Sequence, residues 1–178
     1  MAIEGTAEVE QARSDAAIAA FVAEHYDRLL RLARLVCRDA SDAADAVQVG
    51  LEQAWRRRST LRDDAQLRPW LERIVVREAV RISKRRQSWL SRLFTPTPDV
   101  TWIEPPDPHG SEPSSFLALR TAFQQLPPEQ RAVVALHMHL GYTVAETAAI
   151  VGAPDETVRS RLRLARQRLR QELEESRP

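Results

Sequence analysis

Cysteine is almost missing from this sequence: Cys37 is the single one in 178 residues. An internal disulfide is therefore excluded, no cysteine cluster exists to hold zinc, and a reducing cytoplasm is the expected home. Cys37 lies beside the apolar face of a helical pattern and reads as a packing residue. Long apolar runs are missing too. None approaches the ~18–20 residues that span a bilayer, and no basic-then-apolar leader opens the chain, so a cytoplasmic protein without membrane insertion is expected. Catalytic patterns are equally scarce, with no phosphate loop, no paired nucleophile and base, and no EF-hand spacing. His137 and His139 form an H-x-H, but residues two apart on a helix point about 200° away from each other and cannot share a metal. One of them is expected to pack and the other to face solvent. An enzyme is not expected, nor a cofactor, nor a metal site.

What the sequence does have is segregated charge. The formal net charge is only +1, and of 26 basic residues Lys84 is the one lysine. Acidic residues gather in 1–24 and in 99–112, whereas 68–92 and 157–170 are strongly basic. Two separated basic segments in a nearly neutral chain point to a polyanionic partner met at two places. The plainer reading of each arginine run is a solvated helix face, and only spacing can decide between them.

Apolar periodicity gives an all-α chain. Residues 1–17 read as a flexible acidic tail. From Ile18 the positions Phe21, Val22, His25, Leu29, Leu32, Ala33 and Val36 follow helical spacing. Ser41 and Asp42 are candidate N-caps for a second helix, with Val47, Leu51, Ala54 and Trp55 on its inner side, ending near "RRRST". A turn-rich stretch over 59–66 leads to a third helix around Pro69, since proline is tolerated in a first helical turn. Leu71, Ile74, Val75, Ala79 and Ile82 form its core face. These helices make one small domain, 18–88. Residues 89–115, proline-rich and acidic, read as a linker whose Trp89, Leu93, Phe94, Trp102 and Ile103 are apolar enough to lie along a surface. Helices near 116–125, 128–139, 143–151 and 154–172 make a second domain, 116–174.

The second domain contains the most informative stretch, "TVAETAAIVGAPDETVRSRLRLARQRLR". A short helix with small residues Ala145, Ala148 and Ala149 meets a turn at Gly152, where a positive φ is expected. A new helix then starts at Ala153–Pro154 with Asp155 and Glu156 in its first turn. This is a helix-turn-helix. On its second helix Val158, Leu162, Ala165 and Leu169 form an apolar stripe. Arg159, Arg163, Arg166 and Arg170 form another, rotated about 100°. A helix that packs on its domain while presenting donors to phosphates and guanine edges needs both stripes. Arg159, Ser160 and Arg163, near the N-terminus, are the candidate base contacts; Arg161, Arg166, Arg168 and Arg170 are candidate phosphate contacts.

The third helix of the first domain repeats the design, with Arg73, Arg77, Arg81 and Lys84 at i, i+4, i+8 and i+11 and Trp70 at the leading end. Guanidiniums that hold backbone beside an indole that can stack on a base suit DNA whose strands separate there.

Taken together, "DAADAVQVGLEQAWRR", "RPWLERIVVREAVRISKRR", the proline-rich linker and "LPPEQRAVVALHMHLGYTVAETAAIVGAPDETVRSRLRLARQRLR" resemble a bacterial sigma factor of the extracytoplasmic-function group of the sigma-70 family, over residues 18–173. The resemblance implies an initiation subunit of RNA polymerase whose first domain opens the minus-ten element and whose second reads minus-thirty-five. It implies that Asp45, Gln48 and Glu52 face the beta-prime clamp helices, that the second domain meets the beta flap, and that the 59–66 loop, with Arg62 and Asp63, captures an unstacked base. The helix from Trp70 to Arg86 would follow the DNA, the acidic linker would occupy an RNA channel, and an anti-sigma factor is an implied partner. Departures from the family pattern stand at Ala44, Val49, Gly50, Arg77 and Pro154. Glycine within a helix costs ~1 kcal/mol relative to alanine, so the helix around Gly50 is expected to be weakened or bent. Two other readings remain: a regulator that binds DNA without polymerase, which would call for a dimerisation helix that is not seen, and a helical adaptor, which leaves both arginine stripes unexplained.

Overall fold

A computed structural model describes residues 2–61, 63–93 and 114–175, and within these every regular element is helical. Helix α1 spans Ala2–Val36, α2 Ala40–Arg56 and α3 Leu67–Leu93, with single 3₁₀ turns at Arg58–Thr60 and Asp64–Gln66. Then come α4 (Ser114–Gln125), α5 (Pro128–Val134), a π-helical turn (Ala135–His139), α6 (Val144–Val151) and α7 (Asp155–Glu175). The π turn is closed by the Leu140 amide on the Ala135 carbonyl at 3.0 Å.

Three boundaries differ from the sequence expectation. The N-terminal 17 residues, expected as a flexible tail, continue α1 from Ala2; they are rich in Ala and Glu, which lose little on entering a helix. Asp15 pairs with Arg58 at 2.6 Å and ties this extension to the turn after α2. The N-cap of α2 is Asp39, not Ser41 or Asp42: its carboxylate accepts from the amides of Ser41 at 2.8 Å and Asp42 at 3.4 Å. Arg86 closes on the same end, pairing with Asp39 at 3.0 Å and Asp42 at 2.9 Å. Helix α3 runs on to Leu93 rather than stopping near Ser88, because no breaker precedes Pro96. The rest of the expected linker, 94–113, lies outside the described residues.

Helix α2 passes through Gly50 as one continuous helix. Its glycine is the contact point with α3, where an added Cβ would stand 3.0 Å from Val75 Cγ2 and 3.3 Å from Val75 Cα. The propensity cost is offset by a helix approach that a side chain would prevent.

The larger finding is where the core lies. One buried cluster joins Leu29, Leu32 and Val36 of α1 and Cys37 just after it, Ala43, Ala46 and Val47 of α2, and Val75, Val76 and Ala79 of α3 to Ala132, Ala135, Leu136 and Ile150 of the second half. The two halves therefore share an interior instead of keeping wholly separate cores. Helix α3 makes this possible by burying two sides. Leu67, Leu71 and Ile74 pack with Ile18 and Ala54, while Glu72, Val76, Ala79 and Ser83 are also buried at helical spacing. Glu72 is fully buried and accepts from Arg28 Nε at 2.9 Å, Arg68 Nε at 3.3 Å and the Tyr142 hydroxyl. A buried carboxylate needs such partners. Burial, with the Glu72 contact added, pushes the Tyr142 hydroxyl up to about 12, so it stays a donor. The apolar stripe of α7 packs in a smaller cluster of Leu126, Val133, Val134, Ala148, Val158, Leu162 and Ala165.

Gly50→Leu is expected to lower stability by ~1–3 kcal/mol, the usual range for overpacking, without loss of helix content in the native state. Chemical denaturation followed by circular dichroism measures it; an unchanged midpoint would show that α2 and α3 are not held at this separation.

Candidate nucleic-acid and polymerase interfaces

The turn between α6 and α7 is set by backbone chemistry. Thr143 caps α6 in a reciprocal box with Glu146: its hydroxyl accepts the Glu146 amide at 3.2 Å, and the Glu146 carboxylate accepts the Thr143 amide at 2.8 Å. The signal, Thr-x-x-Glu, stands plainly in the sequence and went unread there. At the other end Gly152 adopts φ 70° and ψ 43°, as the turn requires. Its amide bonds the Ala148 carbonyl at 2.9 Å, and α7 starts at Asp155.

Helix α7 buries Val158, Leu162 and Ala165, and Arg159, Arg163, Arg166 and Arg170 are exposed along an adjoining face. Ser160 is half-buried beside that face. Two arginines turn toward the body of the protein instead. Arg168 donates to Gln130 Oε1 at 3.3 Å, and half-buried Arg161 lines a cleft between α3, α5 and the α6–α7 turn.

On α3 the expected cationic stripe is present, but its members differ in availability. Trp70 is half-buried against the cluster around Ile18 and Leu71, and Arg73 is half-buried with its Nε enclosed and unbonded. Arg77 donates from Nε to the Ile150 carbonyl at 3.1 Å and from Nη2 to the Ala149 carbonyl at 3.4 Å. Burial and then the charges of Arg73 and Arg57 lower its pKa. Arg81 bonds Glu78, Nε to Oε2 at 2.7 Å, and Gln53 Nε2 bonds the other Glu78 oxygen at 2.7 Å. Burial disfavours the Glu78 charge, yet these bonds outweigh it and hold the carboxyl below its ordinary range. Lys84 pairs with Glu129 of α5. There too burial opposes the charge, and the ammonium more than compensates. Arg77, Arg81, Lys84, Glu129 and Arg161 thus surround one cleft of about 300 Å³, floored by Val76, Val80, Ala132 and Val151.

Asp63 is exposed and caps the short turn before α3, accepting the Ala65 amide at 2.9 Å; Arg62 lies outside the described residues. On α2, Asp45, Gln48 and Glu52 are all exposed, with Gln48 Nε2 donating to Glu52 at 3.4 Å and Arg56 3.8 Å from Glu52. Trp55 was expected on the inner side of α2, but it is 45% exposed and carries the Arg58 guanidinium 5.1 Å from its ring centroid. The spacing 45, 48, 52, 55 is itself the signal for one helical face, masked by an indole's apolar character. His137 is half-buried, its Nδ1 2.6 Å from the Tyr142 carbonyl, and His139 is exposed. Among the described residues no group of three or more His, Cys, Asp and Glu side chains could hold a metal, and no helix is long and apolar enough to cross a membrane.

Two family patterns match in tandem, sigma-70 region 2 over residues 21–90 and sigma-70 region 4 over residues 116–169. The chain is 37% identical over 146 residues to the ECF RNA polymerase sigma factor SigM of Mycobacterium tuberculosis, covering 82% of this chain and 71% of that protein. It is 32% identical over 154 residues to the RNA polymerase sigma-E factor of Streptomyces coelicolor, covering 86% and 84%. The fold is similar to the sigma factor RpoE solved with the anti-sigma factor NepR from Bartonella quintana, with a TM-score of 0.67 over 89% of this chain and 98% of that one at 23% identity. It is also similar to CnrH solved with the cytosolic domain of CnrY, with a TM-score of 0.59 over 93% and 96% at 22% identity. Tandem region 2 and region 4 segments, a helix-turn-helix with an arginine face and relatives matched over most of their length lead to one assignment: the chain belongs to the extracytoplasmic-function group of sigma-70 family sigma factors, which direct promoter recognition in transcription initiation.

Proposed function

We propose that this chain binds core RNA polymerase through the exposed α2 face of Asp45, Gln48 and Glu52, presents α3 to the melting minus-ten element, and reads the minus-thirty-five element with α7. It has no catalysis of its own and works in the cytoplasm. The observation that carries the reading is the α7 surface, where four arginines on one exposed face flank a buried Val158–Leu162–Ala165 stripe. Arg159 and Arg163 lie early on the helix, which supports assigning them to base edges; Arg166 and Arg170, further along the same exposed face, are assigned to phosphates. Trp55, capped by Arg58, extends the α2 face and supplies the kind of aromatic anchor that protein interfaces favour. RpoE and CnrH were each solved with a second protein, in the first case a named anti-sigma factor, and an anti-sigma factor is proposed as a partner here.

Polymerase is required on physical grounds. Unstacking bases costs a few kcal/mol per step, more than a few side chains around Trp70 recover, and reading two promoter boxes together needs both halves held at a fixed spacing. The purified chain is therefore expected to leave promoter duplex closed, while chain plus core polymerase gives permanganate-reactive thymines near the start site. Asp45→Lys combined with Gln48→Ala should abolish that reactivity with helix content unchanged. Tight, specific duplex binding by the chain alone, with no stable association with core, would overturn the proposal in favour of an autonomous regulator.

Arg159→Ala and Arg163→Ala are each expected to cost ~1–3 kcal/mol at one base pair of the upstream element. Holoenzyme binding to a panel of single-base promoter variants measures it. Equal loss on every sequence would reduce both residues to phosphate contacts.

A further inference from the structure

The cleft between α3, α5 and the α6–α7 turn has a composition that helix packing alone does not require. Arg77, Arg81 and Lys84 reach it from one face of α3, Arg161 reaches it from α7, and the one carboxylate among its lining residues is Glu129 of α5. Bonds within the chain do not use up these cations. Arg77 gives Nε and Nη2 to the α6 carbonyls, Arg81 gives Nε and Nη2 to Glu78, and Lys84 pairs with Glu129. A guanidinium carries five N–H donors and an ammonium three, so each keeps donors over. Arg161 has no hydrogen-bond or ion-pair partner among the described residues, although its charge helps to hold the Glu129 carboxyl below its ordinary range. Cations gathered in a half-buried space in excess of their acceptors repel one another, and an anion placed among them relieves that repulsion.

The floor has the opposite character. Val76, Val80, Ala132 and Val151 are aliphatic, and an inorganic ion gains nothing from them, whereas a ligand with an anionic chain and an apolar, planar body gains from floor and walls together. Size narrows the class further. About 300 Å³ is at the lower end of the volumes that hold small ligands, and it has no room for a duplex. Arg77 to Lys84 is a rise of ~10 Å at the α-helical repeat, more than a single phosphate group covers.

We propose that this cleft is a binding site for a nucleoside oligophosphate, with the phosphate chain along Arg77, Arg81 and Lys84, Arg161 closing on it from α7, and the base on the aliphatic floor. That floor has no side-chain donor or acceptor, so it does not select one base over another. The walls belong to both halves of the chain, so a bound nucleotide links them and stabilises the whole molecule by mass action. The site uses no residue of the α2 face, and its test depends on neither polymerase nor promoter DNA.

Isothermal titration calorimetry of the full chain with ATP, without divalent cations, should give one site per chain, and the thermal midpoint should rise with ATP concentration. Arg161→Ala should weaken binding about tenfold, the effect of losing one charge-assisted hydrogen bond, and Arg161→Lys should recover part of it. Arg34→Ala, which removes the same charge from an exposed position on α1, should leave the affinity unchanged. Circular dichroism should show equal helix content in all variants. Tripolyphosphate should bind more weakly than ATP, and adenosine not measurably. Absence of both heat and a midpoint shift at millimolar ATP would overturn the site. Equal weakening by Arg161→Ala and Arg34→Ala would also overturn it, leaving general attraction to a basic surface. Tripolyphosphate binding as tightly as ATP would overturn the nucleotide assignment, because the floor would then contribute nothing.

Discussion

A guanidinium buried at the junction of the two halves holds the arrangement together. Arg131 is 2% exposed and donates from Nε to the Val36 carbonyl at 2.7 Å, and from Nη1 to the Leu126 carbonyl at 2.6 Å and the Gln124 carbonyl at 3.2 Å. Val36 ends α1 and Gln124 lies in the last turn of α4, so one side chain satisfies the unpaired ends of helices from both halves. Burial, and then the nearby Arg38 charge, pull its pKa down to about 10, which still leaves it protonated at neutral pH. A charge taken out of water is costly unless every donor finds an acceptor. Carbonyls at helix C-termini are suitable acceptors because they carry partial negative charge. Arg38 adds a parallel bond to the Gln124 carbonyl at 2.7 Å, and the Ser83 hydroxyl reaches Val36 from α3 at 3.4 Å.

From that junction the rest follows by packing. With the end of α1 fixed against the α4–α5 turn, Ala132, Ala135 and Leu136 come to lie on Val36, Cys37 and the Val75–Ala79 segment. Small residues on both sides let the backbones approach. Helix α3 then lies between two sets of neighbours, and most of the polar groups along its second side are matched, Glu72 by Arg28, Arg68 and Tyr142, Arg77 by the α6 carbonyls and Lys84 by Glu129, while Arg73 Nε stays enclosed and unbonded. The outcome for function is a division of surfaces. The α2 face and the arginine face of α7 point to solvent, while the α3 stripe is largely spoken for.

Much of this was legible in the sequence, for a definable reason. The α6–turn–α7 unit could be read because its signals are local: small residues for a tight crossing, Gly152 for a positive φ, acidic residues in the first turn of α7, and two stripes at 3.6-residue spacing. The α2 face of Asp45, Gln48 and Glu52 came from the family resemblance, and it is exposed. What escaped was what depends on distant partners. Periodicity within α3 gives one apolar face, yet it cannot say that Val76 and Glu72 meet a segment some sixty to seventy positions away. Arg131 sits in a helix start that reads as ordinary, and nothing in "LPPEQRAVV" marks its charge as interior. Trp55 shows the reverse error, in which an apolar side chain was assigned inward by composition although its spacing placed it with the exposed residues. Asp39 was passed over as a cap because Ser41 and Asp42, equally good capping residues, stand two and three positions after it, and residue type alone does not choose among the three.

The central claim, that both halves share one interior organised around Arg131, is tested most directly by scanning calorimetry of the full chain. A shared core predicts a single cooperative transition whose calorimetric and van't Hoff enthalpies agree, in a ratio of about one, with Arg131→Met moving the whole transition to lower temperature. Two resolved transitions, only one of them shifted by Arg131→Met, would contradict it and show two domains that fold independently.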